Sequence, residues 1–322
     1  MKNKTSIKIG LFALLICLGS VVAFAQTSTL PRPPATLKVL CTTFPMYQFT
    51  RMVAEGRDGL EVRLMLPATL GCPHDYSLTT DDMRTLAKAD VLIANGLGME
   101  NFLGKAVQQA NPKLKIADSS KGIKNLIALH EDEEEHDHAH EKEGAHHHHD
   151  SGMNPHLFAS PLQAAQVVRN IAQELSKLDP DGAMVYAANA KKYGEQLEAL
   201  AKELETTCAA FTKKKIVTEH AVFDYLARDA GLQIAAVVEE EPGQEPAASE
   251  MLKIITTIKK SGAAVVFTEP QYPAKVGETI AKEAQIPVAS LDPVATGPMD
   301  APLDYYEKTM RANLETLKKY LR

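Results

Sequence analysis

Short apolar runs recur along the chain and are separated by stretches with helical spacing. The runs span residues 37–41, 62–66, 91–94, 215–217, 233–237 and 263–267. Strand-like runs that alternate with helical stretches are typical of an α/β fold with a mostly parallel sheet. Because the runs stop after residue 94 and resume at residue 215, we predict two α/β lobes, each with a mostly parallel sheet flanked by helices.

A long helical pattern lies between the two groups of runs. Ser160 and Pro161 suit the N-cap and first position of a helix, and a turn is predicted at 179–182. From 183 to 211, apolar residues recur every three or four positions: Tyr193, Leu197, Leu200, Leu204, Cys208 and Phe211. Such a helix would be roughly 40 Å long. We therefore predict an N-terminal lobe at 36–178, a linking helix within 179–212 and a C-terminal lobe at 213–322, rather than a surface helix of one domain.

The first 25 residues have the features of a signal peptide. Three lysines precede an apolar run at 9–22, and the small-residue pattern Ala23-Phe24-Ala25 follows it. This order predicts cleavage after Ala25 and export to the periplasm. The run is shorter than the ~20 apolar residues of a membrane span. Cys17 lies inside the run, which makes it a poor site for a lipid anchor.

Three cysteines remain after that cleavage, and an odd number allows at most one internal disulfide in an oxidising compartment. Cys208 lies on the apolar face of the long helical pattern, so Cys41 and Cys72 are the candidate disulfide.

The net charge of −6 and a charged fraction of 24% are those of an ordinary globular protein. Since there is no basic stripe with interleaved aromatic residues, we predict no nucleic-acid partner.

One segment has no helical or strand periodicity. Residues 130–150 contain eight of the eleven histidines among many acidic residues: His130, His136, His138, His140, His146, His147, His148 and His149. This composition predicts a mobile, solvated loop that contacts metal ions, and its internal position with scattered His-acid repeats does not resemble a purification tag. We interpret the loop as an auxiliary, low-affinity zinc collector.

The other three histidines follow strand-like runs or the His-rich loop. They are His74, His156 and His220. Ligands of parallel α/β sheets gather at the carboxyl ends of the strands, so three imidazoles there can meet around one ion. An isolated histidine is more often a core or capping residue, but a His-rich tract in the same chain favours a metal site. Three imidazoles with a carboxylate or water suit tetrahedral Zn²⁺.

The segments around these histidines resemble a known family of metal-binding proteins. The motifs are Pro73-His74-Asp75-Tyr76, Asn154-Pro155-His156-Leu157, the stretch at 219–226, Gln244-Glu245-Pro246 and Ser290-Leu291-Asp292-Pro293. They are similar to those of the metal-specific solute-binding proteins of ABC uptake systems, and within these to the periplasmic zinc-binding, ZnuA-type component. The resemblance covers almost the whole mature chain.

This resemblance implies a site and a role. His74, His156 and His220 would be the histidine ligands and Asp292 the carboxylate ligand, in a cleft between two lobes. In zinc-type members, water or another acid can take the place of that carboxylate. The chain would be a monomer that captures zinc with high affinity and delivers it to a membrane permease. Manganese-type relatives tend to have an acid where His220 stands and to lack the His-rich loop, so zinc is favoured over Mn²⁺ or another divalent metal.

Two other classes of protein are weighed against this interpretation. A zinc hydrolase would also use three histidines, but the sequence has no His-Glu-x-x-His pairing and only Glu219 beside His220 as a candidate base. We therefore predict that the chain is not an enzyme. A surface adhesin would depend on a lipid anchor, for which the leader is poorly suited. Glu100 and Glu269 are candidate imidazole partners or helix caps.

Overall fold

The structure, a computed structural model, describes residues 36–73, 76–129, 152–239 and 246–322. Its N-terminal part contains four strands and three helices: β1 Leu37–Cys41, α1 Phe44–Ala54, β2 Leu60–Leu64, α2 Thr80–Leu86, β3 Val91–Ala94, α3 Ala106–Ala110 and β4 Lys115–Asp118. Two longer helices follow, α4 Pro161–Leu178 and α5 Ala183–Ala209. The C-terminal part again alternates strands and helices: β5 Lys215–Thr218, α6 Asp224–Ala230, β6 Gln233–Val237, α7 Ala248–Ser261, β7 Val266–Thr268, α8 Lys275–Ala284, β8 Val288–Ser290 and α9 Tyr305–Leu321.

The two sheets have the same topology. Their strand orders are β2-β1-β3-β4 and β6-β5-β7-β8, and the described strands pair in parallel throughout. The direction of the chain across each sheet reverses between β1 and β3, and between β5 and β7. The carboxyl ends of such neighbouring strands form the usual binding crevice of an open α/β sheet. The prediction of two parallel α/β lobes joined by one long helix is confirmed.

Two edge strands were missed by the sequence pattern. Strand β4 buries only Ala117, and β8 has three residues, all at least partly exposed. A short edge strand that packs on one side needs no apolar run, so hydrophobic spacing could not reveal it. The start of β2 at Leu60 is also two residues earlier than predicted.

Ser160 begins α4 in a different way from the predicted cap. Pro161 is the first helical residue, as predicted, but the Ser160 side chain makes no capping hydrogen bond. Its Oγ instead donates to Asp229 Oδ2 at 2.6 Å. Since Asp229 lies on α6, this hydrogen bond ties the start of α4 to the C-terminal part of the chain.

The long helix α5 lies in the middle of the hydrophobic core. Its buried stripe includes Tyr193, and the helix packs against α1, α4, α6 and α9. The Tyr193 ring lies 6.4 Å from the ring of Phe49 on α1, which lies 5.1 Å from that of Tyr306 on α9. One continuous cluster of buried side chains therefore joins elements of both sheets. In the described residues, we find no helix with the length and apolar character needed to cross a bilayer.

The signal peptide and the His-rich loop lie outside the described residues, so their boundaries stay predictions.

We expect Phe49→Ala to lower the free energy of unfolding by about 3–5 kcal/mol, because the side chain is fully buried between helices of both lobes. Denaturant unfolding of the metal-free protein measures this change. The control is Met184→Ala on α5, where 85% of the residue is exposed and little change is expected. Equal unfolding midpoints for the two variants would contradict the role of the aromatic cluster.

Candidate metal centre

Two buried histidines converge on one sulfur atom. The Sγ of Cys72 lies 3.3 Å from His156 Nε2 and 3.7 Å from His220 Nε2. The two histidines are 2% and 1% exposed, and Cys72 is partly exposed. Among the described residues, these three form the group of His, Cys and acidic side chains whose donor atoms are close enough to share one metal ion.

His156 is oriented by the residue two positions before it. Asn154 Oδ1 accepts hydrogen bonds from His156 Nδ1 at 2.8 Å and from the His156 backbone N–H at 2.9 Å. The Asn154 amide nitrogen donates to Ala221 O and to Asp224 Oδ2, which fixes the orientation of the amide. Because an amide oxygen only accepts, the His156 proton lies on Nδ1. Its Nε2 therefore presents a lone pair toward Cys72 Sγ.

His220 follows strand β5 and is oriented by a buried carboxylate. Its Nδ1 lies 2.5 Å from Oε1 of Glu269, which follows β7. The Glu269 backbone N–H donates to Oε2 of Glu219 at 2.7 Å. The carboxyl ends of β5 and β7 thus provide a ligand and its orienting partner, and the prediction of Glu269 as an imidazole partner agrees with this contact.

The pair of His220 and Glu269 holds protons more tightly than either group does in water. Burial lowers the pKa of His220, but the Glu269 carboxylate and the Cys72 sulfur raise it by more, to about 10. Burial also raises the pKa of Glu269 to about 7, although His220 opposes this change. A metal ion that binds His220 Nε2 at neutral pH must therefore displace a proton.

The loop that carries Cys72 is fixed on both sides. Gly71 has φ of +80°, and a Cβ there would lie 2.7 Å from the hydroxyl oxygen of Tyr272. That hydroxyl accepts a hydrogen bond from the Cys72 backbone N–H at 3.1 Å. After the loop, the Thr79 and Asp82 side chains form a capping box at the start of α2. Cys72 is therefore held against Tyr272, which follows β7.

The predicted ligands have different positions in the structure. His156 and His220 come together as described, whereas His74 lies outside the described residues, as do the loop histidines. Asp292 is absent from the group around Cys72. Its Oδ1 accepts from the Val294 backbone N–H at 2.7 Å, and its own N–H donates to Asn313 Oδ1. The carboxylate of Asp292 thus closes a local turn after β8, and its role as a metal ligand stays a prediction.

The candidate disulfide between Cys41 and Cys72 is not formed. Cys41 is buried on β1, where burial raises the pKa of its thiol to about 12. The Cys72 sulfur instead faces the two imidazoles. The number of cysteines in the sequence indicated this pair, but that number gives no information on the direction in which either side chain points.

Within the described part of the chain, Glu100 contacts a hydroxyl and backbone groups and no imidazole. Its carboxylate accepts hydrogen bonds from Thr42 Oγ1 and from the backbone N–H groups of Asn95 and Gly96. These contacts join the carboxyl ends of β1 and β3. Sequence reasoning also missed Tyr272 and the orienting role of Asn154. The position of Asn154 two residues before His156 was the available signal, whereas no pattern distinguished Tyr272.

Comparisons with known proteins identify relatives along nearly the whole chain. The family profile described as ZnuA, zinc-uptake complex component A, periplasmic, matches residues 39–320. The high-affinity zinc uptake system protein ZnuA of Bacillus subtilis (strain 168) is 33% identical over 319 residues, which are 97% of this chain and 97% of that protein. Zinc-binding protein AdcA of Streptococcus pyogenes serotype M3 is 32% identical over 289 residues, which are 88% of this chain but only 55% of that longer protein. A crystal structure of a ZnuA deletion mutant with zinc bound has a TM-score of 0.71 and 25% identity, covering 89% of this chain and 99% of that one.

In the metal-free protein, we expect Glu269→Gln to lower the pKa of His220 by more than about one unit, because the opposing charge is removed while burial remains. Wild-type His220 should stay charged above pH 7 and lose its proton near its pKa of about 10. NMR titration of labelled histidines follows this change. The control is Glu100→Gln, which removes a carboxylate that bonds Thr42 rather than an imidazole. The same His220 pKa in wild type and Glu269→Gln would contradict the assigned pairing.

Proposed function

We propose the function of this chain on the premise that it belongs to the ZnuA family, the periplasmic component A of zinc-uptake complexes. The chain captures one Zn²⁺ with high affinity between its two lobes and delivers it to the permease of an ABC transporter. It carries the ion and catalyses no reaction. This assignment includes export to the periplasm after loss of residues 1–25 and action as a monomer.

The observation that carries this proposal is the convergence of two correctly oriented imidazoles. His156 and His220 each bond a partner through Nδ1, and each presents Nε2 toward the same point near Cys72. Metal-binding histidines in protein zinc sites typically have such a hydrogen-bond partner on the ring nitrogen that does not face the metal. Nitrogen and sulfur donors suit Zn²⁺, whereas Mn²⁺ prefers oxygen donors.

His74 is the proposed third imidazole ligand. Only Pro73 separates it from Cys72, whose Sγ lies 3.3 Å from His156 Nε2. This short separation along the chain supports the assignment, because the loop before His74 is anchored at the site by Tyr272.

Contributions from both lobes support capture and release. Cys72 and His156 come from the chain before α4, whereas His220, Glu269 and Tyr272 follow strands of the second sheet. A change in the separation of the two sheets would therefore change the set of ligands around the ion. We propose that contact with the permease produces this change and releases zinc.

The His-rich loop at 130–150 acts in this proposal as an auxiliary collector. Its eight imidazoles bind zinc weakly and raise the local concentration of the ion near the cleft. Acidic residues in the same segment favour the accumulation of cations around it.

We expect His156→Ala to weaken Zn²⁺ binding by at least about 100-fold. Loss of a residue that only hydrogen-bonds a ligand already lowers metal affinity by about 10- to 100-fold, and loss of the ligand itself should cost more. The background is a variant without residues 130–149, so that the loop sites do not obscure the cleft. Isothermal titration with Zn²⁺ and with Mn²⁺ measures both affinities.

The loop-deleted parent is the control and should keep one tight zinc site with lower total stoichiometry than the full chain. It should bind Mn²⁺ much more weakly than Zn²⁺. Loss of tight binding in this parent, or unchanged binding in His156→Ala, would overturn the cleft assignment.

A further inference from the structure

We propose that Cys72 is a ligand of the captured zinc ion, so that a thiolate completes the site in place of the Asp292 carboxylate. This inference rests on the proposed function and makes it more specific. It changes the donor set from imidazoles and oxygen to imidazoles and sulfur.

The distances around Cys72 fit a tetrahedral zinc ion. Zn–S bonds are about 2.3 Å long and Zn–N bonds about 2.0–2.1 Å, so tetrahedral angles separate sulfur from nitrogen by about 3.5 Å. The observed Sγ–Nε2 distances of 3.3 and 3.7 Å lie on either side of this value. Both imidazoles already point their Nε2 atoms in this direction, and His220 Nε2 becomes a donor once the ion displaces its proton.

The position of Cys72 is determined by the backbone around it. Gly71 adopts a left-handed conformation, and any side chain there would collide with Tyr272. The Tyr272 hydroxyl holds the Cys72 N–H, and its ring packs edge-on against His220 at 5.9 Å. Tyr272 therefore contacts His220 through its ring and positions the Cys72 sulfur through its hydroxyl.

The predicted oxygen ligand, Asp292, makes a local hydrogen bond after β8. Asp292 accepts the Val294 N–H, and its donor atoms lie outside the group formed by Cys72, His156 and His220. Zinc can therefore bind Cys72 Sγ and the two imidazoles without breaking the Asp292 hydrogen bond in the turn after β8. Coordination forms a Zn–S bond and a Zn–N bond to His220, and the thiol proton and the His220 Nε2 proton are both released to water.

The proposal has a consequence for selectivity. A thiolate strengthens binding of soft and borderline ions such as Zn²⁺ and Cd²⁺ and contributes little to binding of Mn²⁺. The chain would thus discriminate against manganese by sulfur as well as by the imidazole of His220.

The test uses Co²⁺ as a spectroscopic substitute for Zn²⁺ in the mature chain without residues 130–149. We expect the parent protein to show a thiolate-to-cobalt charge-transfer band in the near ultraviolet and strong visible bands of tetrahedral Co²⁺. Cys72→Ser should lose the charge-transfer band and bind Zn²⁺ at least about 10-fold more weakly. The matched control is Cys208→Ala, which removes a buried thiol on α5 and should keep the band.

Alkylation of the unsubstituted protein provides a second measurement that needs no variant. Peptide mapping should find Cys72 alkylated in the zinc-free protein and protected in the zinc-loaded protein. The buried thiols of Cys41 and Cys208 should react slowly in both states.

The possible outcomes separate this inference from the proposed function. Tight Co²⁺ and Zn²⁺ binding without a charge-transfer band, or with no protection of Cys72, would overturn the thiolate ligand and leave the zinc-capture proposal intact. Absence of tight binding in the parent would overturn both proposals.

Discussion

The metal centre depends on two hydrogen-bonding partners that fix which nitrogen of each imidazole faces the ion. Asn154 holds His156 and Glu269 holds His220, both through Nδ1. Without these partners either buried ring could rotate, and the two Nε2 atoms would not converge on one point. The partners are themselves held, since the Asn154 amide donates to Asp224 and the Glu269 backbone N–H donates to Glu219 Oε2. The site is therefore organised before any ion arrives.

The fold brings these partners together from distant parts of the chain. In the C-terminal sheet the chain adds β6 on one side of β5 and β7 on the other side. The carboxyl ends of β5 and β7 are therefore neighbours, and they bring His220 and Glu269 together without long loops. Asn154 belongs to the segment before α4 but bonds residues that follow β5, so the two halves of the site are joined by hydrogen bonds. Helix α5 and the aromatic contacts of Phe49 keep the two sheets on one shared core. This shared core is the basis for our proposal that small changes between the lobes, rather than a large hinge motion, alter the ligand set.

Most of the fold could be predicted from the sequence, because the buried strands are apolar runs and α5 keeps a long apolar stripe. Strands β4 and β8 could not, since an exposed edge strand leaves no such pattern. His220 was predicted from its isolation and its position after a strand, and His156 from its isolation and its position after the His-rich loop. The Cys41–Cys72 pair was wrong, because residue type and spacing do not give side-chain direction. For the same reason they did not reveal that the Asp292 carboxylate accepts the Val294 N–H in a local turn. The position of Cys72 depends on Tyr272, 200 residues later in the chain, and no local pattern contains that contact.

The central claim is that His156 and His220 bind one zinc ion through their Nε2 atoms. Crystals of the zinc-loaded protein, measured on both sides of the zinc absorption edge, locate the ion without assumptions about its ligands. The account predicts one strong anomalous peak at about 2.0–2.1 Å from both Nε2 atoms. A fully occupied zinc ion found only elsewhere, with these two nitrogens uncoordinated, would contradict it.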